Sequence, residues 1–318
     1  MRILLASPID PGTTTALRAR HDVLEAAGPG DLREAVRDAE VVVLRSGPVL
    51  SEDVMAQAPG LRAVVRAGSG LDNIDVEYAR SRGIRVVRIA GMSGPPVAEM
   101  TFALLLTLAR NVTLADRLIR AGDWPKPRLG GPLLQGKTLG VVGAGNIGAL
   151  VGQMGSAWGM QVLGCVAHPS KTVAEQLAAR GVTLRAFDDV IENAHFVTLH
   201  VPLDRSTHHL IDADVLDRMR PGSLLVNMAR GGVVDEKALH EALTQGDRLA
   251  GAALDVHETE GQGTVSPLAE LTNVVLTPHI GAMALDTQRL IGTRVLELVE
   301  ACHEGRLEEE VDHGELVV

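Results

Sequence analysis

Short apolar runs rich in β-branched residues alternate with stretches of helical periodicity almost from end to end of this chain. Ile3–Ala6, Val41–Leu44, Ala63–Val65 and Arg85–Val87 read as strands. So do Leu139–Val142, Gln161–Cys165, Phe196–Leu199, Ser223–Val226, Gly251–Leu254 and Val274–Leu276. Helical patterns fall between them at Thr14–His21, Ile147–Trp158, Val173–Arg180, Ala213–Arg220 and Glu236–Gln245. A strand that is apolar on both faces has no side to show to water, so crossover helices must cover both. The pattern therefore predicts an α/β protein with doubly wound parallel sheets. Two longer segments read as hinge helices: Val97–Arg120, preceded by Gly94-Pro95-Pro96, and Asp286–His303. Strand runs before residue 93 and after residue 138 predict two α/β domains in the 318 residues. The acidic tail Glu304–Val318 is expected to fold back or fray.

Composition removes several classes. Forty acids against thirty bases give a net charge of −10, which disfavours general nucleic-acid binding but allows a local basic pocket. No apolar run approaches the roughly 18 residues of a membrane span. No basic segment followed by an apolar one marks a signal peptide. Cys165 and Cys302 share no motif spacing, so neither a disulfide framework nor a metal site is expected, and a reducing cytoplasm suits them.

The run Leu139–Val142 leads into Gly143-Ala144-Gly145-Asn146-Ile147-Gly148. Each glycine of this G-x-G-x-x-G has a physical task. Gly143 permits the tight turn, Gly145 lets backbone approach a pyrophosphate, and Gly148 lets helix and strand pack closely. A helix opening at Asn146 or Ile147 would aim unpaired N–H groups and a partial positive charge at phosphate. The next strand runs out as Cys165-Val166-Ala167-His168-Pro169-Ser170-Lys171, without the acid that usually accepts the ribose hydroxyls of NAD. No carboxylate there repels a 2′-phosphate, and His168, Ser170 and Lys171 can donate to one. A preference for NADPH, or weak discrimination between NAD and NADP, is expected.

Three further strands end in chemistry. Asn227-Met228-Ala229-Arg230-Gly231-Gly232 follows Ser223–Val226. Asp255-Val256 ends the next strand, with Glu260 in the loop beyond, and Thr277-Pro278-His279-Ile280-Gly281 ends the one after. Carboxyl ends of parallel strands are where open α/β sheets bind ligands. Arginine holds a carboxylate and polarises a carbonyl. Histidine titrates near neutrality, and a glutamate beside it favours the imidazolium and orients the ring.

These stretches resemble the D-isomer-specific 2-hydroxyacid dehydrogenase family, phosphoglycerate dehydrogenase-like. The matching segments are Arg66-Ala67-Gly68-Ser69-Gly70-Leu71-Asp72-Asn73-Ile74-Asp75, Val97-Ala98-Glu99, the glycine loop, His200-Val201-Pro202-Leu203, Asn227–Gly232, Asp255-Val256 and Thr277–Gly281. The resemblance implies a Rossmann-type cofactor domain, residues 94–282, inserted in a smaller flavodoxin-like substrate domain, residues 1–93 and 283–318. It implies that Arg230 binds the carboxylate and carbonyl of a 2-oxo acid, that His279 is the acid–base, and that Glu260 is its partner. Gly68, Ser69 and Gly70 would offer backbone N–H groups to the carboxylate. Ser69, Asn146, Ile147, Val201, Pro202, Met228, Ala229, Arg230, Asp255, His279 and Gly281 would line the cofactor. Arg45-Ser46 resembles the pair that holds a substrate phosphate, which suggests a second anionic group on the substrate.

Departures from the family pattern narrow the reading. Ser93-Gly94-Pro95-Pro96 lacks an Asn common before Val-Ala-Glu, Gly261 replaces a usual Pro, and His257 stands where an aromatic is frequent. The formate dehydrogenases of the family carry Gln where Glu260 stands, so formate is not the expected substrate. The sequence ends at residue 318, so the short form without a C-terminal regulatory domain, and without feedback by serine, is expected. The arm from Gly122-Asp123-Trp124 to Gly136-Lys137 would wrap a second subunit through Trp124, Pro125, Pro127 and Leu129, giving a homodimer. His208 and His209 read as surface residues. Two other functions fit the same motifs: an NADPH-dependent hydroxypyruvate/glyoxylate reductase, and a non-catalytic dinucleotide-sensing binding protein.

Overall fold

The computed structural model describes residues 1–26, 31–245, 248–312 and 314–318. The chain divides into two compact units, Met1–Ser93 with Met283–Val318, and Gly94–Ala282.

The first unit carries β1 (Arg2–Leu5), α1 (Pro11–Arg18), β2 (Asp22–Glu25), α2 (Leu32–Ala35), β3 (Val41–Leu44), α3 (Glu52–Met55), β4 (Ala63–Arg66), α4 (Val76–Ser81) and β5 (Arg85–Arg88). Its sheet is parallel in the order β2-β1-β3-β4-β5, the doubly wound flavodoxin-like arrangement. Successive side chains alternate between two cores. Ile3, Leu5, Val41 and Val43 enter one, and Leu4, Val42, Leu44 and Val64 the other. Both faces are thus apolar, which is why these strands carry no polar alternation.

The second unit carries α5 (Gly94–Ala109), α6 (Val112–Arg120), β6 (Thr138–Val142), α7 (Asn146–Ala157), β7 (Gln161–Cys165), α8 (Lys171–Ala178), β8 (Val182–Leu184) and α9 (Phe187–Asn193). It continues through β9 (Phe196–Leu199), α10 (Ala213–Arg218), β10 (Ser223–Asn227), α11 (Glu236–Gln245), β11 (Leu249–Leu254) and β12 (Val274–Leu276). Its parallel sheet runs β12-β11-β10-β9-β6-β7-β8. From β6 the chain winds outward through β7 and β8, then returns to β9 on the other side. The crevice beside β6 and β9 is therefore a topological switch point, where doubly wound sheets bind ligands.

α12 (Leu285–Glu304) and α13 (Leu307–Glu310) return to the first unit. The tail folds back and does not fray. Val317 N–H donates to Val86 O at 2.8 Å, and Val86 and Arg88 N–H donate to Val318 and Glu315 O. Leu316 thereby pairs antiparallel with Val87 and covers the edge of β5.

Besides the short helices α2, α3, α4, α9 and α13, which the sequence reading did not mark, three elements differ from it. The segment Val97–Arg120 is two helices bent by 59°. Asn111 between them lies at φ 54°, a left-handed conformation that ends α5, and its side chain donates to Gly130 O at 3.0 Å. The other two are short edge strands, β2 and β8. No single helix among the described residues is long and apolar enough to cross a membrane.

Candidate active site

The glycine loop has the shape its spacing implies. α7 begins at Asn146, with Gly145 as N-cap and no side chain closing the helix end. A Cβ on Gly148 would lie 2.3 Å from Gly143 O, and one on Gly143 would lie 2.7 Å from His200 O. Neither position admits a side chain. Around Gly145, in contrast, a Cβ would meet nothing within 4 Å. The loop is packed tight from behind and open in front, so the N–H groups at the start of α7 face a clear approach. This is a cradle that fits a pyrophosphate.

β7 ends beside it. His168, Ser170 and Lys171 are exposed, and no acid accompanies them. Ser170 is the N-cap of α8, and its hydroxyl oxygen accepts from Val173 N–H at 3.2 Å. Lys171 lies 3.9 Å from Glu175 on the same helix surface. Of the three, His168 is thus the least committed to local structure.

The residues after β10, β11 and β12 meet because those strands are neighbours in the sheet. Asp255 is buried, and its carboxylate organises the turn after β12. Oδ1 accepts from Thr277 Oγ1 at 2.6 Å and Ile280 N–H at 2.9 Å, and Oδ2 accepts from Gly281 N–H at 2.7 Å. His279 N–H donates to Asp255 O at 2.7 Å. These bonds hold His279 at φ 55°, a conformation that costs a non-glycine residue free energy. Asp255, expected to line the cofactor, therefore first serves to build this turn, with one lone pair of Oδ2 left to accept. Gly281 packs so closely that a Cβ there would lie 2.7 Å from Met228 Cε.

The turn points His279 Nδ1 at Glu260, 2.9 Å from Oε2 and 3.1 Å from Oε1. A carboxylate only accepts, so Nδ1 carries the proton and Nε2 is left to exchange one. Burial pushes the Glu260 carboxyl up. The hydrogen bond and charge of His279, with His257 N–H, outweigh that and hold it below the ordinary carboxylate range. The pair is half-exposed, as a proton-exchanging group must be.

Arg230 follows β10 directly. Its Nη1 donates to Ala229 O at 2.8 Å, and Asn227 Nδ2 donates to Arg230 O at 3.0 Å. Met228 and Ala229 are buried beside it. Val201 half-lines the end of β9, and Pro202 O accepts from Thr207 Oγ1 at 2.7 Å. Along the carboxyl edge of the sheet the order is therefore His279, Asp255, Arg230, Val201, the glycine loop and His168.

His200, also at the end of β9, is a second histidine on this edge. Burial pushes its ring down to about 3, and both ring nitrogens are buried without a hydrogen-bond partner. It stays neutral at working pH, so it is a poor candidate for proton exchange. Among the described residues no three His, Cys, Asp or Glu side chains cluster to hold a metal. His209, read from sequence as a surface residue, is partly exposed and held in place there: its Nε2 lies 2.7 Å from Glu258 Oε1, and its ring stacks on His208.

In the first unit, Arg45 follows β3 and Ser7 follows β1, at that sheet's own switch point. Arg45 N–H donates to Ser7 Oγ at 2.7 Å. No carboxylate among the described residues pairs with the Arg45 guanidinium, and burial lowers its pKa. Ser46 beside it is exposed. Ser7 was not legible as a site residue, because its pairing with Arg45 spans 38 residues. The loop after β4 corrects one expectation. Gly68 N–H is taken by Arg66 O at 2.8 Å, so it is not on offer to a carboxylate, whereas Ser69 and Gly70 N–H find no backbone acceptor among the described residues. Gly68 is required as glycine: at φ 154° a Cβ would lie 2.6 Å from Arg66 Nη1.

Two parallel sheets, a pyrophosphate cradle at one switch point and a histidine–carboxylate pair on the same edge define a two-domain dinucleotide-binding α/β protein. Residues 102–281 match the family described as D-isomer specific 2-hydroxyacid dehydrogenase, NAD binding domain. The chain belongs to that family. It is 41% identical over 316 residues to D-3-phosphoglycerate dehydrogenase of Methanocaldococcus jannaschii, covering 98% of this chain and 59% of that protein. The chain thus spans about three-fifths of that relative's length. It is 36% identical over 303 residues to hydroxypyruvate reductase of Thermotoga maritima, covering 94% of this chain and 97% of that one. The D-lactate dehydrogenase of Aquifex aeolicus, solved with NAD and lactic acid, superposes with a TM-score of 0.88 at 28% identity over 100% of this chain and 99% of that one.

Proposed function

We propose that the protein is an NAD(P)-dependent oxidoreductase that interconverts a small 2-hydroxy acid and its 2-oxo acid. The His279–Glu260 pair, 2.9 Å apart on the same sheet edge as Arg230 and the glycine loop, carries this reading. A bound nicotinamide supplies or accepts the hydride. Gly143, Gly145, Asn146, Ile147 and Gly148 hold its pyrophosphate, with Val201, Pro202, Met228, Ala229, Asp255 and Gly281 along its length. Arg230 holds the carboxylate of the 2-oxo acid and polarises its carbonyl, and His279 Nε2 donates the proton that the oxygen takes up. Glu260 compensates the imidazolium charge before that transfer and fixes the ring's tautomer after it. Ser69 and Gly70, in the first unit, offer N–H groups that suit a carboxylate.

The substrate class is a dianion of the 3-phosphoglycerate or phosphohydroxypyruvate type. The acid-free, half-buried Arg45 at the switch point of its sheet, beside Ser46 and Ser7, supports a second anionic group. The relatives named D-3-phosphoglycerate dehydrogenase agree with it. A hydroxypyruvate/glyoxylate reductase is the second reading, favoured by the likeness to the Thermotoga protein. The lack of an acid after β7, with exposed His168 and Lys171, supports NADPH preference or weak discrimination. A homodimer is supported by α6, which buries no residue of its own, and by Trp124 and Leu133, 79% and 67% exposed. Pro125 in that arm is buried within the chain's own unit.

About ten 2-oxo acids, each tried with NADH and with NADPH, test the reading. Turnover should be fastest with a phosphorylated 2-oxo acid. Turnover with none, alongside tight cofactor binding, would make the protein a dinucleotide sensor instead. A much lower dissociation constant for NADH than for NADPH would remove the cofactor preference. A monomeric scattering mass at micromolar concentration would remove the dimer.

A further inference from the structure

The loop after β11 places one residue, through its backbone and its ring, against Glu260 and against the segments that carry His279 and Arg230. His257 N–H donates to Glu260 Oε1 at 3.2 Å. Its ring Nε2 lies 2.9 Å from Thr277 O, two residues before His279. Its carbonyl lies against the residue after Arg230: a Cβ on Gly231 would be 1.9 Å from His257 O, so Gly231 can only be glycine and the two backbones are locked together. The ring itself is largely buried, with 14% of its side chain exposed.

We propose that His257 is the positioning residue of the His279–Glu260 pair. The inference rests on the acid–base reading of that pair. Thr277 O is a carbonyl and only accepts, so His257 Nε2 must carry a proton. That bond anchors the Thr277–His279 turn from the side opposite Asp255. The turn needs two anchors because His279 sits at φ 55° and relaxes away from Glu260 unless it is overdetermined. An aromatic ring at position 257 would fill the space but leave Thr277 O with only the 3.0 Å bond from His279 N–H, which lies within the turn itself.

The groups around the ring give it a second property. Nδ1 is buried without a hydrogen-bond partner and lies 4.0 Å from Oε1 of Glu236, an acid 3% exposed at the start of α11. Glu236 Oε1 also accepts from Glu258 N–H at 2.8 Å, and Glu258 pairs with His209, which lies 3.8 Å from Asp235. Glu260 and His279 face the loop from the β12 side and Arg230 from the β10 side. The acid facing Nδ1 is therefore Glu236, while Nε2 is given to Thr277 O.

Three variants of the full chain test this: His257→Phe, His257→Asn and His257→Gln. The Gln amide can reach and donate to Thr277 O, whereas the shorter Asn cannot. Two quantities are read: kcat and KM with the best 2-oxo acid, and the titration midpoint of His279 in 15N-histidine NMR without substrate. His257→Phe and His257→Asn should lower kcat about tenfold with KM within about twofold, and should lower the His279 midpoint by about half a unit or more as Glu260 withdraws. His257→Gln should recover the midpoint and at least about half of kcat. If His257→Phe does not fold, His257→Asn reads the loss in its place. An unchanged midpoint in the folded loss variants, or a Gln variant no better than Asn, overturns the proposal. The titration needs no turnover, so an inactive wild-type protein would defeat the acid–base reading while the midpoint still decides the positioning contact.

Discussion

Two basic side chains in this protein lie against carboxylates at nearly the same distance and do opposite things. In the second unit His279 meets Glu260 at 2.9 Å, and in the first Arg294 meets Glu315 at 2.7 Å. Arg294 is enclosed. It sits on α12 with 10% of its side chain exposed, and Glu297, Glu310 and Asp312 also reach it. Its Nη2 further donates to Glu310 O, and the hydrogen bond it donates to Glu315 leads the causes that push its pKa up. All of its hydrogen bonds but the one to Glu297, on the same helix, tie the tail to α12. His279 has one acid, keeps Nε2 for exchange, is half-exposed and stands on a strained backbone. Saturation and burial mark the structural cation. A single partner, exposure and strain mark the chemical one.

That contrast can be broken by exchange experiments. The largest effect is expected from His279→Asn, a residue that tolerates the positive φ but cannot act as acid–base. Turnover should fall by about a thousandfold while the melting temperature moves by less than about 2 °C. A variant that keeps a tenth of wild-type turnover would remove His279 from the chemistry. Arg294→Ala should do the reverse. It strands a buried carboxylate, costs about 3 kcal/mol in denaturant unfolding, and leaves kcat within about twofold. Unchanged stability would mean that the acids around it find other partners.

Arg45→Ala sharpens the comparison, because Arg45 has the burial of a structural residue and the missing acid of a functional one. KM for a phosphorylated 2-oxo acid should rise about tenfold, with KM for a simple monoanion unchanged. Equal rises for both would demote Arg45 to a packing role. The smallest effect is expected from pH. Burial pushes the Glu315 carboxyl up, but its Arg294 and Asp312 hydrogen bonds outweigh this and hold it below the ordinary 4.5. A carboxylate depressed in the folded state stabilises above its unfolded pKa, and that contribution is lost as pH falls through the folded value. Glu315→Gln should therefore be less stable than wild type at neutral pH and converge with it in acid. A gap that persists undiminished into acid would place its cause elsewhere.

How much of this was legible in the chain depends on how local each signal is. Strands buried on both faces, such as Val41–Leu44 and Phe196–Leu199, announce themselves by composition. Asp22–Glu25 and Val182–Leu184 do not, because an edge strand is short and half-exposed and needs only one neighbour. The break at Asn111 was equally hidden. No proline or glycine interrupts the sequence between α5 and α6, and the left-handed Asn111 is accompanied by a side-chain bond to Gly130, 19 residues away. In the site, the glycine loop could be read in full because its function lies in six consecutive backbone positions. His209 and Gly68 could not, since what each binds is a matter of packing.

The sequence by itself determined the parallel α/β class, the pyrophosphate turn and the placing of Arg230, Asp255 and His279 at strand ends. Those follow from periodicity and from residue types within a few positions of one another. Only the tertiary structure decided which histidine is available. His200 and His279 both end strands, but burial keeps one neutral and a carboxylate 19 residues back engages the other. It also decided that Asp255 and His257 brace the turn that makes that engagement possible. Such choices depend on strand register, on backbone held at positive φ and on which polar atoms are left without water, and no stretch of chain encodes these alone.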